Sequence, residues 1–387
     1  MIDVLVAGGG PAGLAVAIQA ALAGMEAVVV EPRSGPVDKA CGEGLMPTGT
    51  AVLREMGVAI PDGRPFRGIR YLDGRHRAQA AFRDGHGLGV RRTALHAALA
   101  RRAAQLGVVV VPGRVEGLRQ DADGVRATVR PSPPRVTAPT GTADGPYGAR
   151  SRSLDRAPDL RVDGVPDLGA EGGGVAHELA ARWLVAADGL HSPVRAALGL
   201  ELPASAPRRY GLRRHYRVAP WADFVEVHWA PGGEAYVTPV GDNLVGVAVL
   251  SAERRGYHDH LAEFPDLLAR LDGPAATPVR GAGPLRQRVR SRVAGRVLLV
   301  GDAAGYVDAL TGEGLSIALL SARALVRCLR TGRSDAYEEA WRRLSLRSRL
   351  LTAALLEARL HPASARLIVP AAQRLPFLFR AAVRALA

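Results

Sequence analysis

Cysteine is nearly absent: Cys41 and Cys328 are the only two in 387 residues, far apart and without metal-ligand spacing. That excludes a disulfide scaffold and fits a reducing cytoplasm. Aromatic residues reach only 5%. Platforms that stack nucleic-acid bases need aromatics beside the charge. No helix-turn-helix or RNA-binding signature is present either, so the net charge of +14 does not mark a nucleic-acid binder. The cations are nearly all arginines, scattered through the chain. No apolar run reaches the roughly 18 to 20 residues that span a bilayer. No basic leader with a small-residue cleavage site precedes the first apolar strand, so a soluble, cytoplasmic protein is expected.

The length is enough for more than one compact domain, and 48% hydrophobic with 23% charged residues is ordinary for a globular chain. Asp3–Ala7 reads as a strand, Pro11 to about Ala23 as a helix and Glu26–Glu31 as a second strand, a βαβ opening. Arg92–Leu106 has the spacing of an amphipathic helix, Val108–Pro112 of a short strand, and Gly117–Val129 of a hairpin turning at Asp121–Gly124. Residues 131–174 are rich in Pro, Gly and Ser and read as a flexible insertion in a surface loop. A strand at Arg182–Ala187 follows, and residues 205–250 alternate apolar and polar as an antiparallel sheet does. Val297–Val300 reads as a buried strand, Leu315–Leu329 as a long helix, and the tail from Tyr337 as helical.

Three turns carry the chemistry. Gly8-Gly9-Gly10-Pro11-Ala12-Gly13 follows a strand and opens a helix. Gly8 makes the tight turn, Gly10 lets the backbone approach a pyrophosphate, and Gly13 lets helix and strand pack closely. The helix N-terminus, with Pro11 and Ala12 in its first turn, offers N–H groups and partial positive charge. Glu31 ends the next strand, where a carboxylate accepts from ribose hydroxyls and repels a 2′-phosphate; Arg33 beside it joins the expected binding set. This pattern binds a dinucleotide and leaves FAD and NAD undecided. Asp188-Gly189 ends another strand, with Ser192 suited to cap the next helix and Pro193 to open it. Gly301-Asp302 ends a third, and Asp302 can accept from ribityl hydroxyls.

In order and spacing these turns resemble the fingerprints of the flavoprotein aromatic hydroxylases, the para-hydroxybenzoate hydroxylase type, and of their geranylgeranyl reductase relatives, over about residues 1–330. Asp38-Lys39-Ala40-Cys41-Gly42-Glu43-Gly44 is similar to the KxCGxG segment of the reductase branch, and Thr311-Gly312-Glu313-Gly314-Leu315 to its glycine turn after Gly-Asp. Arg92-Thr93-Ala94-Leu95 matches the family's Arg-x-x-Leu, whose arginine lies near the flavin diphosphate; an exposed helical arginine is the alternative. The resemblance implies FAD as cofactor, with Cys41, Gly42, Gly44, Gly312 and Gly314 near it. It also implies an α/β architecture: a Rossmann-like FAD-binding domain (1–64, 90–200 and 282–335), an inserted antiparallel β-sheet substrate domain (65–89 and 201–281) and a C-terminal helical segment (336–387).

The reaction expected first is hydroxylation of an aromatic or polyketide-like small molecule. NADH or NADPH would be a transient electron donor, because no second dinucleotide unit is present. Such chemistry needs no obligatory acid–base pair, so no catalytic residue is assigned, and no metal site is expected. The alternative is reduction of C=C bonds in a prenyl or lipid chain. Glu234–Pro239 keeps Tyr236 and Pro239 of the reductase branch's YxWxFP segment but has Thr238 in place of the tryptophan, which counts against it. The halogenase WxWxIP segment is also absent, and a non-catalytic flavin sensor has little need of the second sheet. His215, Tyr216, His228 and Trp229 are either pocket residues or ordinary sheet packing, and Glu43 and Glu313 are candidates to face the flavin. Cys41 is either a flavin-proximal thiol or a small buried residue. The tail from Leu350 mixes leucines with Arg359, Arg366, Arg374, Arg380 and Arg384. It suits either helices closing the flavin domain or peripheral membrane contact.

Overall fold

The computed structural model describes residues 1–132, 175–203 and 208–386, so nearly all of the 131–174 insertion lies outside the described residues. The branched residues of Ile2–Ala7 are almost entirely buried, as a parallel strand covered on both faces requires. This strand is central to a parallel run in the spatial order Val109–Gln120, Ala27–Glu31, Ile2–Ala7, His177–Ala186 and Val297–Leu299. Val6 is in register with Val29 on one side and Val185 on the other. The carboxyl ends at Glu31, Ala7, Ala186 and Leu299 therefore lie side by side, although they are far apart in the chain. Helices Pro11–Leu22, Arg92–Gln105 and Gly314–Arg330 pack Leu14, Ile18, Leu95, Leu99, Leu319 and Leu325 into the core of this layer.

The short strand expected at Val108–Pro112 instead runs on as Val109–Gln120. Pro112 lies where the strand leaves its parallel partner at Glu31 and takes an antiparallel one, Gly113 facing Pro131. A missing N–H is tolerated at such a change of partner. The hairpin turns where the sequence predicts, with Asp121 accepting from the N–H groups of Asp123 and Gly124 at 2.8 and 3.0 Å.

The second sheet has seven strands in the order Arg280–Ala282, Tyr210–Tyr216, Leu244–Ser251, Gly233–Gly241, Val225–Ala230, Gly68–Leu72 and Arg77–Ala81. All pairs are antiparallel except Val225–Ala230 with Gly68–Leu72. Alternation sends Ala235, Val237, Val247 and Val249 to a face covered by Tyr257, Leu261, Phe264 and Leu267. The opposite face carries Ile69, Val225, Val227, Tyr236 and Leu250.

The tail does not simply close the flavin layer. Helix Ala336–Leu360 starts there with Tyr337 and Trp341 but ends over the second sheet with Leu356. Ile368–Arg374 and Pro376–Leu386 then bury Val369, Phe379 and Val383 against that sheet. The apolar stripe of the tail marked it as amphipathic, but stripe periodicity does not say which surface it covers. No helix among the described residues is long and apolar enough to cross a membrane.

Candidate functional site

Steric demands set the first turn. Gly8 has φ of +108°, and a Cβ there would meet the carbonyl oxygen of Ala187 at 2.6 Å; a Cβ on Gly13 would meet the carbonyl oxygen of Gly8 at 1.9 Å. Only glycine lets the helix begin this close behind the strand. Glu31 braces the turn. Its Oε2 accepts from the N–H of Gly9 at 2.7 Å, and its Oε1 accepts from the N–H and Nε of Arg33 at 3.1 and 2.7 Å. Burial would raise the Glu31 carboxyl, but the hydrogen bond and charge of Arg33, with the Gly9 N–H, hold it below the usual range.

At the second turn Ser192 accepts from the N–H of Arg195 at 2.9 Å, and Pro193 opens the helix Pro193–Ala197. Asp188 accepts from the N–H of Val194 at 3.1 Å through one oxygen, while its other oxygen is buried without a partner. Burial raises its pKa. The third turn, Gly301–Ala304, is a single 3₁₀ turn from which Asp302 projects. Burial pushes the Asp302 carboxyl up, against the pull of Arg92 and Lys39.

The Asp38–Gly44 segment ties the two sheets together. Glu43 has φ of +59°, the only positive value outside glycine among the described residues. Its carboxylate accepts from the N–H of Arg92 at 2.8 Å and pairs with His215 Nε2 at 2.6 Å. Arg213 holds His215 Nδ1 at 3.0 Å and also bonds Asp38. Thr238, the residue that departs from the reductase pattern, donates to the carbonyl of Gly42 at 2.7 Å. Burial pushes the Cys41 thiol up in this segment. The later glycine turn is anchored likewise: the Tyr236 hydroxyl donates to the Leu310 carbonyl at 2.8 Å, and Thr311 bonds Thr352 at 2.7 Å.

These turns converge on one cavity of about 1000 Å³. Gly10, Pro11, Ala12, Arg33, Cys41, Gly42, Gly44, Arg92, Asp188, Gly189, Gly301, Asp302, Gly312 and Gly314 all line it, whereas Gly8, Gly13 and Glu31 stand behind the lining. Arg92 is half-buried and turned inward, its Nη2 3.9 Å from the place a Cβ on Gly10 would take. None of His215, Tyr216, His228 and Trp229 lines the cavity. His215 is held by Glu43, Tyr216 packs on the far face of its sheet, His228 lies 3.4 Å from Glu226, and Trp229 packs against Tyr71 with centroids 5.2 Å apart. Glu313 faces a separate cavity of about 360 Å³; one of its oxygens has no partner, and burial pushes its pKa up to about 7.

Two groups of lining residues fall outside the expected set. Lys39 is the only lysine in the chain. It lines the polar wall, and burial, with repulsion from Arg33 and Arg92, lowers its pKa. The sequence signal for it is its place as the lysine of the KxCGxG resemblance. The second group is apolar: Ile69, Tyr71, Val227 and Leu250 from the sheet face Leu355 and Phe379 from the C-terminal helices. No lining residue from Gly68–Leu72, Val225–Ala230, Leu244–Ser251 or the segment beyond Leu351 carries a charge.

A dinucleotide fits the polar wall. The glycines keep it clear of side chains, an Asp188 oxygen and the Arg92 Nε are buried without protein partners, and Arg33, Lys39 and Arg92 supply charge for a diphosphate. The family described as FAD binding domain matches residues 1–140 and 163–333. The chain belongs to this family. It is an FAD-dependent oxidoreductase. Among curated proteins, digeranylgeranylglycerophospholipid reductase 1 of Methanopyrus kandleri is 31% identical over 343 residues, covering 83% of this chain and 78% of the relative. Menaquinone reductase of Mycolicibacterium smegmatis is 26% identical over 358 residues, covering 88% and 79%. The fold of p-nitrophenol 4-monooxygenase from Pseudomonas putida superposes with a TM-score of 0.71 at 20% identity, covering 100% of this chain and 95% of that one. Among the described residues no group of three or more His, Cys, Asp or Glu is placed to hold a metal ion.

Proposed function

We propose that this flavoprotein reduces C=C bonds in a polyprenyl or similarly long lipophilic chain. The observation that carries the reading is the division of the cavity: one arm is lined by glycine turns and cations, with Arg213 of the second sheet beside them, the other by uncharged residues of Gly68–Leu72, Val225–Ala230, Leu244–Ser251 and the C-terminal helices. A substrate ring bearing hydroxyl or carboxyl groups needs polar partners. The apolar arm offers few, and the Tyr236 hydroxyl is already given to Leu310. The names of the two curated relatives point the same way, to a geranylgeranyl lipid and to a quinone. Thr238 is compatible with this reading, because its hydroxyl holds the Cys41–Gly44 loop in place of an aromatic wall.

In this reading Gly10, Pro11 and Ala12 lie along the pyrophosphate, Arg33, Lys39 and Arg92 neutralise it, and Asp302 accepts from the ribityl hydroxyls. Gly42, Gly44, Gly312 and Gly314 give the ring close backbone contact, and Asp188-Gly189 holds the turn between them. Cys41, kept protonated by burial, holds a proton at its Sγ beside the junction of the two arms. FAD, when bound, supplies the two-electron carrier, and NADH or NADPH is a visiting donor.

The test is anaerobic. Dithionite-reduced, FAD-loaded protein is expected to add two hydrogens per double bond to a geranylgeranyl lipid, read by mass spectrometry, with NADH and NADPH then compared as donors. Product that forms only with oxygen and gains an oxygen atom would overturn the reading in favour of aromatic or polyketide hydroxylation. The polar arm has its own readout. Because Lys39 is the sole lysine, amine acylation with peptide mapping reports on it directly, and FAD is expected to protect it. Equal labelling with and without FAD would remove Lys39 from the site.

A further inference from the structure

The apolar arm ends at the C-terminal helices, where the protein exposes what it buries elsewhere. Leu367, Leu375, Phe377 and Leu378 are 58%, 42%, 64% and 53% exposed. Leu375 and Leu378 also line the cavity, so the exposed patch is continuous with its wall. Adjacent exposed apolar side chains of this kind mark contact surfaces.

The charge around the patch has one sign. No Asp or Glu follows Glu357, while Arg366, Arg374, Arg380 and Arg384 all do. These four arginines are exposed and have no salt bridge or side-chain hydrogen bond among the described residues. Arg359, by contrast, is tied to Glu234 and to the carbonyls of Ala230 and Pro231. On Pro376–Leu386, Phe377, Arg380 and Arg384 recur at i, i+3 and i+7, opposite the buried Phe379, Val383 and Leu386. The neighbouring strand adds Arg77, whose N–H donates to Gln373 at 3.3 Å.

We infer that Ile368–Arg374 and Pro376–Leu386 dock on a bilayer surface carrying anionic headgroups. The arginines meet the headgroups, and Leu367 and Phe377 enter the acyl boundary. That docking delivers substrate into the apolar arm rests on the reductase reading; the docking itself does not.

The experiment is co-flotation of the full FAD-loaded chain with vesicles of phosphatidylcholine alone or mixed with phosphatidylglycerol, a measurement independent of turnover. Binding is expected to require phosphatidylglycerol and to weaken with salt. Each arginine is expected to contribute about fivefold at the surface. Arg380→Glu with Arg384→Glu should therefore lower the partition coefficient for the phosphatidylglycerol vesicles by more than about 25-fold, and Phe377→Ser with Leu367→Ser should lower it while leaving its salt dependence unchanged. All four positions are exposed and outside the cavity wall, and retained flavin absorbance checks the fold of each variant. Equal binding to both vesicles, undiminished binding by the variants, or a concentration-dependent dimer that Phe377→Ser abolishes would each overturn the inference; the last would assign the face to a second copy of the chain.

Discussion

The polar wall and the apolar arm enclose one cavity but are made of different material. The wall is mostly backbone, presented by strand ends at which glycine is required for steric reasons. Its side chains, Arg33, Lys39, Arg92 and Asp302, add charge to a shape the backbone has already set. The arm is almost wholly side chain, assembled from two separate strand groups and three C-terminal helices. The turn behind the wall, at Gly8 and Gly13, tolerates no added atom, whereas an apolar arm can trade one hydrophobic residue for another.

The sharpest way to break the comparison is Gly13→Ala. Its Cβ would lie 1.9 Å from a backbone oxygen that cannot move without opening the turn. A loss of FAD affinity of at least about a hundredfold is expected, read by flavin titration, while substitutions in the arm should leave that affinity unchanged. Phe379→Ala tests the other half. Phe379 packs against Tyr71 with ring centroids 4.8 Å apart, so the chain should lose about 3 kcal/mol of stability in denaturant titration yet retain FAD. Loss of flavin in parallel would show that the arms are not independent.

Glu313 tests the turn between the arms through pH. Its folded pKa of about 7 lies above the ordinary value of 4.5. The unfolded chain therefore ionises first, and the stability held at low pH is lost as pH rises from about 4.5 through 7. Glu313→Gln should flatten this slope and be more stable than the parent above neutral pH by on the order of 2 kcal/mol, measured by paired denaturant melts at acid and alkaline pH. The smallest effect is expected for Glu31→Gln, which keeps the shape of the brace but weakens its charged bonds to Gly9 and Arg33. About tenfold weaker FAD binding is expected, in the same titration as for Gly13→Ala.

Legibility in the sequence followed the same division. The turns at Gly8–Gly13, Asp188-Gly189 and Gly301-Asp302 were readable because each is local: strand, turn and helix start fall within about a dozen residues, and a glycine announces its own steric role. The cap at Ser192 was readable for the same reason. Lys39 is legible only as the lysine of the KxCGxG resemblance; its place on the polar wall beside Arg33 and Arg92 depends on neighbours that are distant in the chain. Thr238 in sequence is only a missing aromatic, since only the folded chain shows the Gly42 carbonyl it meets. The run of Val109–Gln120 through Pro112 was hidden because a strand can change partners at a proline, and partners are not local.

Sequence alone settled where the strand–turn–helix junctions of this wall fall, because tight turns and helix capping depend on residues adjacent in the chain. It also settled that the tail would be amphipathic, since periodicity is a property of the helix itself. Only the tertiary structure decided that four distant strand ends stand in a row and that the tail lines the apolar arm and not just the flavin layer. Both outcomes depend on which buried surfaces meet, and that is set by packing between segments whose order in the chain carries no record of the match.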